Sequence, residues 1–151
     1  MKKILIILFM FFCAGYSYGK EKNKVISLCA AGDVKKIEVI YYPGYISTNV
    51  AMNADQLTLR HIYRFEINSV QDVPVRDEIM QMLDVDYEKH NNTNDIRWGV
   101  GVTSTTDKKC NIYFDVFGHC GEINGIKVCF KKNTILEWIK NNIPLFVKYD
   151  Q

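Results

Sequence analysis

The stretch Cys120-Gly-Glu-Ile-Asn-Gly-Ile-Lys-Val-Cys129 constrains this chain more than any other. Asn124-Gly125 between two apolar residues is the strongest short-range hairpin signal, because a type I′ turn needs positive φ at both central positions. Centring the turn there sets Ile123 against Ile126, Glu122 against Lys127, Gly121 against Val128 and Cys120 against Cys129. The cysteines then meet at a non-hydrogen-bonded pair, with Cα atoms about 4.5 Å apart, a span that a disulfide accepts. Glu122 and Lys127 share the cysteine face as a cross-strand ion pair, while Ile123, Ile126 and Val128 point toward the core.

The other cysteines follow from the leader. Lys2 and Lys3 precede the apolar run Ile4–Phe12, and Ser17-Tyr18-Gly19 supplies small residues at a cleavage point, which together read as a signal peptide over residues 1–19. The run is too short to span a bilayer, which takes roughly 20 residues. Cys13 follows Phe12 and not a small residue, so the pattern is not that of a lipoprotein. Cys13 leaves with the leader, and the exported remainder holds Cys29, Cys110, Cys120 and Cys129. An even count in an exported chain implies disulfides. With Cys120–Cys129 set by the hairpin, Cys29–Cys110 is the remaining pair.

Charge excludes some partners. Of 19 Lys and Arg, Lys2 and Lys3 lie in the leader, and the 17 that remain equal the 17 Asp and Glu. A balanced chain offers no electrostatic footprint for nucleic acid or an anionic membrane. Residues 20–151 suit one domain with a single core.

Along that domain, residues 20–24 are charged and expected to fray. Val34 to Tyr42 alternates as a strand, with Ile37, Val39 and Tyr41 on one face. Pro43-Gly44 opens a loop through Met52. Asn53 and Gln56 have the spacing of a reciprocal helix cap, predicting a short helix from Ala54 to His61, although the same residues also alternate. A strand from Tyr63 to Val70 follows. Residues 72–87 place Val75, Ile79, Met82 and Leu83 at helical spacing with Pro74 in the first turn. Residues 84–95 read as a polar connection. Ile96–Thr103 and Asn111–Phe117 are strands, with Trp98, Val100, Val102, Ile112, Phe114 and Val116 inward and Gly99, Gly101, Tyr113, Asp115 and Phe117 outward. The inward parity changes before the hairpin, which predicts a bulge or break at Gly118 or Gly121. Thr134 and Glu137 have the form of a capping box for a last helix ending at Pro144, and Leu145–Tyr149 reads as a tail or edge strand. The expected fold is α+β: a mostly antiparallel sheet of about five or six strands, with two or three helices packed on one face, stapled by disulfides.

Chemistry-bearing groups are sparse. Cys110, His119, Cys120 and Cys129 lack the close Cys-x-x-Cys pairing of a zinc site, and four paired cysteines leave no nucleophilic thiol. No serine stands in a nucleophile-elbow context, and no phosphate loop, metal helix or dinucleotide fingerprint occurs. No catalytic residue, metal or cofactor is therefore assigned. Asp95 and Arg97 before Trp98 form a candidate ligand clamp, or else an acid–base pair that orients a loop. Gly99 and Gly101 bare one strand face, which a ligand or a packed helix could use. Tyr42, Tyr45, Ile46, Tyr113 and Phe117 are candidate partner-binding residues, because tyrosine-rich, charge-poor patches are enriched at interfaces. The expected function is that of a small periplasmic or secreted binding protein without catalysis, an inhibitor or immunity-type protein that occludes an envelope hydrolase or toxin. The alternatives are an exported hydrolase using Asp95 and His119, and a passive glycan- or small-ligand-binding component.

Non-reducing peptide mapping is expected to recover Cys120 linked to Cys129. A free thiol at either position would refute the hairpin register.

Overall fold

The computed structural model describes residues 23–29, 34–68, 73–92 and 95–143. The expected leader, residues 20–22 and the expected tail Leu145–Tyr149 lie outside them. In chain order the elements are β1 (Asn23–Lys24), α1 (Val25–Cys29), β2 (Val34–Tyr41), α2 (Ala54–Arg60), β3 (Tyr63–Asn68) and α3 (Val73–Leu83). There follow β4 (Asp86–Lys89), β5 (Ile96–Ser104), β6 (Lys109–Asp115), β7 (Cys120–Ile123), β8 (Ile126–Phe130) and α4 (Thr134–Asn142). The strands form one antiparallel sheet in the order β1-β4-β8-β7-β6-β5-β2-β3. Eight strands and four helices, not five or six and two or three, make up this α+β domain.

The strands beyond the expected number lie at the β1–β4 edge. Asp86–Lys89 carries too few apolar residues to announce a strand, yet it pairs with β8 and buries Tyr87. Asn23–Lys24 in turn pairs with Tyr87 and Asp86, so the expected frayed segment ends in a strand. Both are pairings between distant residues, which local periodicity cannot register. The five residues of α1 are likewise too few to show a helical repeat.

The β7–β8 hairpin has the expected register, Cys120↔Cys129 to Ile123↔Ile126, and Asn124 and Gly125 have φ of 48° and 80°. Its Cα–Cα distance at the disulfide is 4.0 Å, and Cys29–Cys110, with Cα atoms 5.1 Å apart, ties α1 to β6. Glu122 and Lys127 oppose one another in register, but among the described residues no ion pair joins them. Lys127 Nζ donates to the Asn91 carbonyl.

Of the bulge or break expected at Gly118 or Gly121, the break occurs: Gly118 lies in the turn between β6 and β7, and neither glycine is bulged. The β6–β7 ladder runs without a shift from Ile112↔Ile123 to Phe114↔Gly121, and the parity change is absorbed in the turn between the strands. An even-membered connection changes parity by itself, so no extra residue is needed. Asp115 builds that turn: its carboxylate accepts the N–H groups of Phe117, His119 and Cys120 at 2.9–3.1 Å, and Gly118 takes a φ of 74°. Bulges lie instead at Lys35, between β2 and β5, and at Arg97, between β5 and β6.

Two apolar clusters sit on opposite faces. The larger joins Ile37, Val39, Trp98, Val100, Val102, Ile112 and Phe114 of the sheet to Ile79, Met82 and Leu83 of α3 and Ile135, Leu136 and Ile139 of α4. The smaller gathers Ile40, Met52, Leu57 and Ile96 under α2. The helices thus cover both faces, which corrects the one-face expectation. The helix start at Ala54 does carry the reciprocal cap of Asn53 and Gln56. For α4 the cap is Asn133, not Thr134. Asn133 accepts the Leu136 N–H, while Thr134 Oγ1 donates to the Met82 carbonyl and so fastens α4 to α3.

An aromatic row crosses the larger core. Tyr63 stacks on Tyr41, Tyr41 on Trp98 at 3.8 Å between centroids, Trp98 meets Phe114, and Phe114 meets Phe130 edge-on. Between Phe114 and Val128 the register places Gly121, where a β-carbon would stand 1.8 Å from the Tyr113 carbonyl oxygen. At Gly101 the nearest atoms to such a carbon are 3.7 Å away. Gly121→Ala is expected to cost about 3 kcal/mol or more by forcing backbone apart. Gly101→Ala is expected to leave the melting temperature near that of the wild type, and a scan of both variants checks the contrast.

Candidate functional site

Residue 97 has no opposite number in β6, because Ile96 pairs with Asp115 and Trp98 with Phe114. The bulge turns an arginine side chain out of the ladder and into the base of the loop between β2 and α2. There it is 5% exposed. Its Nε donates to Asp95 Oδ2 at 2.7 Å, Nη1 to the carbonyls of Ile46 at 3.1 Å and Pro43 at 3.5 Å, and Nη2 to Thr48 Oγ1 at 3.1 Å. The guanidinium also lies over the Tyr42 ring, 5.3 Å from its centroid. A planar fork with five donors suits this arrangement of carboxylate, carbonyls and aromatic face, and a lysine ammonium does not.

Asp95 completes the clasp at the far end of the loop. Its Oδ1 accepts the Met52 N–H at 2.7 Å, and the Met52 carbonyl accepts the Ile96 N–H at 2.8 Å. Of the two readings of Asp95 and Arg97, the observed bonds are those of a pair that shapes a loop. Both carboxylate oxygens and both ends of the guanidinium are engaged with the protein itself.

The loop so held displays Tyr45 at 82% exposure and Val50 at 71%. Gly44 lies against the side chain of Val116, with no room for a β-carbon at 2.6 Å, which brings the loop tip beside the Asp115 turn. That turn carries Phe117 at 71% exposure, its ring stacked on His119 at 5.7 Å. Asn133 Nδ2 donates to the Gly118 carbonyl at 2.9 Å and anchors the turn to the cap of α4. Tyr45 and Phe117 therefore stand at one end of the sheet on two separately braced turns. The Tyr45 hydroxyl end is drawn toward Tyr63, and desolvation there, followed by the neighbouring phenol, raises its pKa above the usual tyrosine value.

The other sequence candidates lie elsewhere. Tyr42 is half-buried beneath Arg97, and Ile46 is half-buried with its carbonyl on the guanidinium. Tyr113 is not beside Phe117, which stands on the turn and not on the strand. It packs against the smaller core and exchanges a hydrogen bond with Thr58 of α2 at 3.2 Å. His61 donates from Nδ1 to the Thr58 carbonyl at 2.9 Å. Among the described residues, Cys29, Cys110, Cys120 and Cys129 are all in disulfides. Asp115, which shapes one of the two turns, has a single sign in the sequence, an Asp before Val-Phe-Gly, a turn-forming combination.

Gly99 and Gly101 do border a hollow, of about 420 Å³, edged by Lys36, Glu38, Thr103, Lys109, Asn111 and Tyr113. Gly99 itself is closed over by Ile40 and Tyr113, so only Gly101 bares the floor. A second hollow of about 440 Å³ lies between the loop and α2, bordered by Tyr42, Thr48, Met52, Gln56 and Arg60. Among the described residues no group of three or more His, Cys, Asp or Glu is placed to hold a metal ion, and no helix is long and apolar enough to cross a membrane. No family model, curated protein or solved structure matches this chain.

Arg97→Lys is expected to release the loop, because one ammonium cannot meet Asp95, Ile46 and Thr48 together, at a cost on the order of 3 kcal/mol for a broken buried pair. Hydrogen exchange should then quicken at Ile46 and Met52, whose N–H groups are bonded to Pro43 and Asp95. Unchanged exchange there would show that the clasp does not hold the loop.

Proposed function

We propose that this is a periplasmic or secreted binding protein that acts without catalysis, occluding another protein of the envelope through Tyr45, Phe117 and the loop between β2 and α2. The observation that carries the reading is the Arg97 clasp. It uses a buried cation and two loop carbonyls to hold a tip at which Tyr45 is 82% exposed. A loop already ordered in the free protein avoids much of the entropy cost of docking, and rigid aromatic anchors dominate the energetics of protein interfaces. Inhibitors and immunity-type proteins depend on such preformed surfaces. The hydrolase alternative has less support, since Asp95 is fully engaged with Arg97 and Met52 and is not poised as a base. The small-ligand alternative rests on the hollow of about 420 Å³ beside Gly101.

The test is affinity capture from envelope extract with the wild type, with Tyr45→Ala/Phe117→Ala, and with Leu59→Ala as a surface control on α2. A partner retained by wild type and control, and weakened at least about 100-fold by the double variant, is the expected result for two anchor residues. A partner indifferent to the double variant would place the working surface elsewhere.

A further inference from the structure

The sheet has two edges, and they differ. One is β1, two residues long and running straight into α1. The other is β3, six residues that pair with β2 alone among the described residues, in a register without a bulge. Natural edge strands are blunted by charged side chains, lysine above all, by proline, by bulges or by a covering element, and the charges of this one, Arg64 and Glu66, are already paired with Glu38 and Lys36. Tyr63-Arg-Phe-Glu-Ile-Asn68 has no proline, glycine or lysine.

The direction of its free groups follows from its neighbours. The Tyr42 N–H donates to the Arg97 carbonyl across β2–β5, so even-numbered residues of β2 address β5 and odd-numbered ones address β3. Through the pairs Tyr41↔Tyr63, Val39↔Phe65 and Ile37↔Ile67, the odd residues of β3 are satisfied by β2. The N–H and C=O groups of Arg64, Glu66 and Asn68 therefore point away from the sheet.

The strand is also complementary to itself. Turned antiparallel about Phe65, a second copy sets Arg64 against its Glu66 and Glu66 against its Arg64. Tyr63 faces Ile67, and Phe65 faces Phe65. In that register Arg64 and Glu66 are the hydrogen-bonded pairs, which matches the outward direction of their backbone groups. Opposite charges stand on the face of Glu38 and Lys36, which already bind Arg64 at 3.2 Å and Glu66 respectively. Apolar side chains stand together on the other face, where Phe65 and Ile67 border the larger core. No other register centred on this strand opposes both charged pairs.

We propose that the β3 edge binds a second copy of this chain, joining two sheets into one across a two-fold axis at Phe65. The occupant is identified by charge and by backbone direction together. The surface meets the Tyr45 end at Tyr63, toward which the Tyr45 hydroxyl is drawn, but the pairing itself rests on β3 and not on the function proposed for that end.

Sedimentation equilibrium of the exported chain up to about 0.5 mM, which reaches weak self-association, is expected to show a dimer. Arg64→Glu and Glu66→Arg should each be monomeric, since one strand then carries two acids and the other two bases. Mixed in equal amounts they should form a heterodimer, in which every acid again faces a base. Phe65→Cys, placed at a non-hydrogen-bonded pair with Cα atoms about 4.5 Å apart, should oxidise to a dimer linked through position 65 while both native disulfides persist. A wild type that stays monomeric overturns the proposal. So does a mixture of the two charge variants that fails to associate, or a dimer that Phe65→Cys does not cross-link.

Discussion

The buried guanidinium of Arg97 is the interaction on which the rest of this end of the molecule depends. A cation at 5% exposure would be strongly destabilising if left alone, and this one is offset by a carboxylate, two carbonyls, a hydroxyl and an aromatic face. The partners come from a segment with no helix or strand of its own, so ordering that segment is how the cation is satisfied. The consequence spreads along the chain. Asp95, oriented by Arg97, holds Met52. Met52 enters the smaller core beside Ile96 and delivers the chain to the Asn53 cap, and the cap starts α2, whose Leu57 closes that core. One strand bulge thus places a loop, a helix and a hydrophobic cluster.

The larger core is secured differently, by pairings and covalent bonds. The aromatic row from Tyr63 to Phe114 passes through cross-strand neighbours fixed by register, and Phe130 joins it edge-on from across β7. The disulfides act on chains of very different length: 9 residues separate Cys120 from Cys129, and 81 separate Cys29 from Cys110. On a chain-entropy account the short closure contributes roughly 2.5 kcal/mol and the long one roughly 4.5 kcal/mol. The longer bridge also holds α1 against β6, which matters because five helical residues have almost no stability of their own.

What could be read in advance follows from the range of each interaction. The hairpin, the Asn53–Gln56 cap, the stripes of α3 and α4 and the alternation of β2, β5 and β6 are local, and the structure has all of them. The short strands β1 and β4 are visible only as partners of other strands. The cap of α4 shifted by one residue because Asn133 and Thr134 are both competent, and the choice is made by Met82 and Gly118, far away in sequence. At the candidate site Asp95 and Arg97 were recognisable as a charged pair, but their loop partners were not, since a bulge leaves no mark in periodicity. Tyr113 and Phe117 look alike on a pattern that alternates, and only the Asp115 turn separates them.

The polar groups that look most like chemistry in this sequence are spent inside the fold. The cysteines are paired, Asp95 and Arg97 hold one turn, Asp115 holds another, and His61 closes back on its own helix. Here their satisfaction is what makes the surface rigid. Turned outward beside the surface ion pairs are aromatic rings on braced turns and, among the described residues, the backbone of a straight edge strand. Both are means of recognising protein, one through anchoring side chains and the other through main-chain hydrogen bonds. The clasp at Arg97 and the β3 edge, paired on one side alone among the described residues, share one feature: polar groups bonded within the fold hold the shape in which rings, charges and backbone are presented.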